Sequence, residues 1–422
     1  MIGLPITARR AVATFALAIG GTLATAPLAP AGTPAGDPPY SVPVDELDAA
    51  LDCDEFTHPD KEPVLLVHGT FTAGHEQWDW NYAILLRETG HDVCIVTYPD
   101  RGFGDQQISA EYVARAVQRI HAESGRKVDM IGHSQGASMP RWAIKWWPSV
   151  QAALDDFVLL AGPVHGTSVA SGSLPTGQPP AFFQFSPSSN FIQALNEGDE
   201  TPGPISYTSI YTRYDELVQP VDPPTAALDP GIDDPAVANI LLQDVCPGNL
   251  ADHLTIGTID RLTQILTLDA IDNAGPTDLR RVDVDAVLCA LEGLYVVPET
   301  FPALAEQFQR SMEGGFPGFE TVTEEPPLRD YARPTSITPE SSTTLGAATG
   351  DSPAAAPDAT TQSVARAESE SSGGLAATGR AIPVLAVLIA VGVALLLRAG
   401  RSKLAAPADT NGDATTDDPP DD

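Results

Sequence analysis

Short, predominantly apolar runs alternate with helix-periodic stretches through the middle of the chain. Residues 63–67 (PVLLV), 93–98 (VCIVTY), 127–131 (KVDMI) and 157–160 (FVLL) are such runs, and 207–211 is a fifth. Strands covered by helices on both faces read this way, because neither face can be polar. Within 109–122, Tyr112, Val113, Ala116, Val117 and Ile120 recur at helical spacing, which predicts an amphipathic helix there. A second helical pattern covers 138–147. Strand–helix–strand alternation implies parallel crossovers. The predicted fold from Asp37 to Pro334 is therefore α/β, with a mostly parallel central sheet flanked by helices. Residues 164–196 carry Phe182, Phe183, Phe185, Phe191 and Ile192 and read either as a small cap or lid or as ordinary core.

The ends of the chain break the pattern. Arg9 and Arg10 precede an apolar stretch at 11–26, followed by small residues and prolines. That order is a secretory signal, so residues 1–31 are expected to be removed, with Ala29-Pro30-Ala31 as the preferred cleavage site. Residues 335–380 are dominated by Ser, Thr, Ala and Pro and cannot bury enough apolar surface to offset ordering entropy, which predicts a disordered stalk. Residues 381–397 lack any charge, at the short limit for a membrane span. Arg398, Arg401 and Lys403 follow, and the positive-inside rule sets 398–422 in the cytoplasm. The remainder is then exported, on the outer face of the membrane or in the wall. Leu375-Ala376-Ala377-Thr378-Gly379 resembles the LAxTG variant of a sortase signal, cut after Thr378, although the acidic tail departs from that pattern. A plain membrane anchor and a wall-sorting signal with sortase as partner both stand.

Composition narrows the function. The chain has 422 residues, 43% of them hydrophobic, and a formal net charge of −33. Nucleic acid is excluded as a partner by charge repulsion. A monomer is expected. Cys53, Cys94, Cys246 and Cys289 are an even set in a chain read as exported, which implies two disulfides. Three pairings are open. The sequential one would close two loops of about 40 residues, each contributing roughly 4 kcal/mol in the chain-entropy picture.

The candidate chemistry sits at 132–136, where Gly132-His133-Ser134-Gln135-Gly136 follows a strand and precedes a helix. This is G-x-S-x-G in the context of a nucleophile elbow, and small residues two positions either side of Ser134 relieve its crowding. A serine needs a base, and the chain order of such sites is Ser, acid, His. His165 and His253 are the histidines after Ser134. His165 leaves no room for an acid loop, so His253 is the candidate base. Asp215 follows the 207–211 run and is the candidate acid, with Glu216 the runner-up. Asp244 and Asp252 sit in the wrong element. The oxyanion donors expected are the backbone N–H of Gln135 and the loop Val67-His68-Gly69-Thr70-Phe71, with Thr70 supplying the second. His68 is read as shaping that loop. No metal-ligand spacing and no phosphate-cradling loop appear, so neither metal nor cofactor is expected.

These motifs resemble the Candida antarctica lipase B family and its bacterial relatives, within the α/β-hydrolase fold. LLVHGT at 65–70 is similar to its oxyanion loop, Ser134-Gln135-Gly136 to its nucleophile turn and YTRYDELVQP at 211–220 to its acid loop. Val245-Cys246 with Asp252-His253 is similar to its histidine loop, and Tyr331-Ala332-Arg333-Pro334 to its C-terminal end. The resemblance spans about 47–334. It implies the triad Ser134, Asp215 and His253, the oxyanion residues Thr70 and Gln135, the sequential disulfide pairing and a lipase or esterase activity. Two departures bear on substrate. His133 stands where the fungal enzyme has a pocket-lining Trp, and Pro163 where it has an acidic residue; a third disulfide is missing. Acyl transfer to an envelope alcohol, and a non-enzymatic surface protein on this fold, are the competing readings.

Overall fold

A computed structural model describes residues 36–170, 177–229, 234–284, 289 and 319–333. The expected signal segment (1–31), stalk (335–380), span (381–397) and tail (398–422), with Thr378, lie outside the described residues. The chain divides into two units at Arg333 and Pro334, and the described residues all belong to the first. Among them, no helix is long and apolar enough to cross a membrane.

Seven strands form one sheet: β1 (Leu51–Cys53), β2 (Val64–Val67), β3 (Val93–Val96), β4 (Val128–His133), β5 (Leu154–Leu160), β6 (Ser206–Tyr211) and β7 (Val237–Leu241). Their order is β1-β3-β2-β4-β5-β6-β7. β1 runs antiparallel to β3 and every other pair is parallel, as the sequence pattern implies. β2, β3 and β4 are buried along their whole length. Side chains alternate between two cores. Leu65, Val67, Cys94 and Val96 join one with Trp142 and Trp147, and Val64, Leu66, Val93 and Ile95 join the other with Leu262 and Leu266.

β1 and β7 were not legible as strands. β1 has three residues and is half-exposed, and β7 is an edge strand with a single buried position. The expected 109–122 helix spans Gln106–Ser124 and is capped by Asp105, whose side chain accepts from Gln107 N–H at 3.0 Å. The helical run after Ser134 comprises Gln135–Ser138 and Pro140–Trp146. Met139 between them keeps helical angles (φ −61°, ψ −37°), so the interruption reflects the missing N–H of Pro140. The disulfides are Cys53–Cys94 and Cys246–Cys289, the pairing that the family resemblance implies. The first joins register partners on β1 and β3.

Candidate active site

Five non-glycine residues have positive φ among the described residues: Phe71, Asp100, Arg101, Ser134 and Ala161. All follow the C-terminal ends of β2 to β5, so backbone strain gathers at one edge of the sheet, where α/β folds place their sites. Ser134 lies between β4 and the following helix with φ 57° and ψ −122°. The turn is so tight that a Cβ on Gly132 would lie 1.7 Å from the Gly136 carbonyl oxygen, and one on Gly136 2.2 Å from that of Val67. Glycine is required at both.

The structure brings Ser134, Asp215 and His253 into one hydrogen-bonded line. His253 Nε2 lies 3.0 Å from Ser134 Oγ, and His253 Nδ1 lies 2.9 Å and 3.0 Å from the two Asp215 carboxylate oxygens. Asp215 also accepts from the N–H groups of Leu217 (2.9 Å) and Val218 (2.7 Å). Burial opposes charge on Asp215, but the facing imidazole and these donors outweigh it and hold its pKa below the usual range. Burial likewise disfavours the imidazolium of His253, and the charge and hydrogen bonds of Asp215 reverse that, raising its pKa. Glu216 instead accepts from the backbone N–H of His253 at 3.2 Å.

His133 faces the backbone of His253. It is buried, with Nε2 2.7 Å from the His253 carbonyl oxygen and Nδ1 3.1 Å from Gln77 Nε2. A carbonyl only accepts, so His133 Nε2 carries the proton and Nδ1 accepts from the Gln77 amide. Burial, reinforced by the neighbouring His253, lowers the His133 pKa to about 3, and the ring stays neutral. Gln77 Oε1 in turn accepts from Gly69 N–H (2.8 Å) and the Thr72 hydroxyl (2.9 Å). One chain of bonds thus joins the 68–72 loop to the backbone of His253. Sequence gave no sign of Gln77, which comes from the separate helix Gly74–Trp78. His165, the other downstream histidine, pairs with Glu200 at 2.9 Å.

Thr70 and Gln135 meet beside Ser134. The Thr70 hydroxyl donates to Gln135 Oε1 at 3.1 Å, and Gln135 Nε2 donates to the Gly102 carbonyl at 2.9 Å. Gln135 opens its helix, so its N–H has no intrahelical acceptor. The neighbouring loop is clamped by Arg101, which pairs with Glu76 through two contacts (2.6 and 2.8 Å) and donates to the Phe71 carbonyl. His68 stacks on Tyr98 at 3.8 Å, and burial lowers its pKa to about 4, so it shapes this loop as a neutral ring.

The aromatics of 164–196 divide between two roles. Phe191 stacks on Trp142 at 4.7 Å within the core, together with Ile192. Phe182 packs against Phe71 and Phe103 (6.3 and 5.7 Å), forming an aromatic wall next to Thr70. The one group of acids close enough to share a cation among the described residues, Asp129, Asp155 and Asp156, lies at the opposite end of the strands.

Residues 64–306 match the Alpha/beta hydrolase family. Over 210 residues the chain is 30% identical to lipase B of Pseudozyma antarctica, covering 48% of this chain and 61% of that protein. It thus spans less than two thirds of that relative's length. Among solved structures, Aspergillus fumigatus lipase B superposes with a TM-score of 0.63 at 28% identity, covering 72% of this chain and 75% of that one.

Proposed function

The chain belongs to the alpha/beta hydrolase family, and from that premise we propose that it hydrolyses carboxylic esters, lipid esters among them, through an acyl-enzyme on Ser134. The observation that carries this reading is the 3.0 Å contact between His253 Nε2 and Ser134 Oγ, with Asp215 on the far side of the ring. Ser134 Oγ attacks the ester carbonyl while His253 Nε2 takes its proton. Asp215 holds the ring's tautomer and stabilises the imidazolium without taking the proton. The carbonyl oxygen, now negative, receives the backbone N–H groups of Thr70 and Gln135. His253 then protonates the leaving alkoxide, and the alcohol departs. Water repeats the sequence, releasing the acid and restoring the serine. The aromatic wall of Phe71, Phe103 and Phe182 gives an acyl chain an apolar surface beside the oxyanion loop. Likeness to two lipases of the B type supports the same substrate class. Export to the outer surface belongs to this reading too: two disulfides fit an oxidising compartment, and protease shaving of intact cells tests it by removing the activity.

The test is hydrolysis of p-nitrophenyl esters from acetate to palmitate by the full chain, beside Ser134→Ala and His253→Ala. The wild type turns over these esters, and each variant loses roughly 10⁴-fold or more in kcat. A folded wild type inert on every ester and unlabelled by a fluorophosphonate overturns the reading. Product ester formed from an added alcohol in preference to free acid would indicate acyl transfer instead.

A further inference from the structure

The pairing of β4 with β5 slips once. Val128 faces Leu154 but Met130 faces Phe157, so Asp155 and Asp156 together oppose Asp129. Bulges in parallel pairs are rare, and a bulge re-aims the side chains it carries. Here it turns three carboxylates toward one point: one oxygen from each lies within 4.8 Å of the other two. That span fits oxygens grouped around one cation at ligand distances of about 2.4 Å. Asp129 is 1% exposed, and neither of its carboxylate oxygens has a hydrogen-bond partner. The Asp156 N–H approaches it without reaching hydrogen-bond geometry. Oδ1 of the buried Asp156 is likewise unpartnered. Buried carboxylates without partners are among the most unfavourable groups in a protein interior.

The surrounding groups relieve this only in part. Glu62 adds a further negative charge, the Ser206 hydroxyl donates toward Asp156, and the nearby cation Lys127 bonds Asp155 at 2.9 Å. Asp155 is the most exposed of the three, so the lysine pairs directly with it and reaches the buried Asp156 only through its charge.

We propose that Asp129, Asp155 and Asp156 bind a hard divalent cation, with calcium the best match to the ligand set. The donors are all carboxylate oxygens, with no imidazole or thiolate that would favour zinc or copper. Three carboxylates supply up to six oxygens, and calcium accepts six to eight in irregular geometry, whereas magnesium demands a near-ideal octahedron. Asp155, 43% exposed, leaves an entry path and room for bound water. Sequence spacing did not single these acids out, because they lie on two strands and converge only through the bulge. The site lies about 16 Å down β4 from Ser134, so it acts on stability and not on the chemical step.

The test uses the full chain stripped with chelator, titrated calorimetrically with CaCl₂ and MgCl₂ and melted with and without each. Calcium binds one to one with Kd of roughly 10⁻⁴–10⁻³ M, and 10 mM raises Tm by roughly 3–8 °C. Asp129→Asn and Asp155→Asn weaken binding at least ten-fold, and Asp155→Asn keeps wild-type esterase activity. Should Asp129→Asn not fold, the half-exposed Asp155 variant carries the comparison alone. No heat and no rise in Tm with either ion at 10 mM overturns the proposal, as does an equal response from wild type and variants. Tighter binding of magnesium than of calcium overturns the calcium assignment.

Discussion

His253 is held at four points. Asp215 and Ser134 take its two ring nitrogens, Glu216 accepts from its N–H, and His133 donates to its carbonyl. Each contact has a distinct consequence. In the proposed mechanism only neutral His253 accepts the Ser134 proton, so kcat/KM should fall as pH drops through its pKa. The Asp215 carboxylate raises that pKa against the opposing effect of burial. Asp215→Asn should therefore move the acidic limb of the pH–rate profile to lower pH while reducing kcat by about 10⁴-fold through loss of the correct tautomer. A limb unmoved in Asp215→Asn would mean that another group sets it. His133→Ala leaves the His253 carbonyl and the Gln77 amide unpaired in a buried site, at a cost of about 1–3 kcal/mol each. Part of that appears as misplacement of the base. We expect kcat to fall about ten-fold, equivalent to about 1.4 kcal/mol of barrier, with KM nearly unchanged. Glu216→Gln retains an acceptor for the His253 N–H and should leave both constants close to wild type.

At the scale of elements, the elbow and the disulfides divide the work of fixing these residues. A methyl group on Gly132 collides with backbone and not with a movable side chain. Gly132→Ala should thus cost about 3 kcal/mol or more in stability, read by urea unfolding, and abolish activity at a position that carries no reacting atom. The two disulfides close spans of 41 and 43 residues, so the chain-entropy picture gives each about 4 kcal/mol. Their locations separate them. Cys53→Ala/Cys94→Ala releases an edge strand remote from Ser134 and should lower Tm by roughly 10 °C with kcat/KM retained. Cys246→Ala/Cys289→Ala frees the segment leading to His253 and should lower both. The sequence revealed the elements with sustained patterns: β2, β3, β4 and β5 announce themselves by apolar runs and the 106–124 helix by helical spacing. Ser134 was legible because the elbow compresses strand, turn and helix into five residues, and His253 because so few histidines follow it. β1, β7, Gln77 and the acidic bulge were not legible. The strands are short and half-exposed, Gln77 is a glutamine in an unremarkable helix, and Asp129 meets Asp155 and Asp156 only through a register slip between strands.

On the whole molecule, a formal charge of −33 and a small set of exposed apolar side chains together decide which surfaces the site can approach. Five large apolar residues are exposed among the described residues: Val169, Tyr214, Leu250, Leu254 and Leu279. Tyr214 and Leu254 adjoin Asp215 and His253 in sequence, and the Tyr214–Asp252 bridge links those two loops. Val169 sits on the segment tied to the acid loop through the bond from Thr167 Oγ to the Leu217 carbonyl. Three of the five therefore belong to the segments that carry or brace Asp215 and His253, where isolated exposed apolar residues need no explanation but a cluster does. Apolar burial at about 25 cal/mol per Å² draws such a rim toward a neutral lipid surface, while the net charge repels an anionic one over roughly a Debye length, about 10 Å at 0.1 M salt. Leu254→Asp should lower the rate on emulsified neutral triacylglycerol while leaving soluble p-nitrophenyl acetate hydrolysis unchanged, because the substitution removes surface contact and not chemistry. Wild type on an emulsion doped with anionic lipid should be slow at low ionic strength and recover as salt shortens the screening length. Equal loss on soluble and emulsified esters would mean that Leu254 serves the catalytic loop itself, and a rate on anionic emulsions independent of salt would leave the molecule's charge without a part in surface selection.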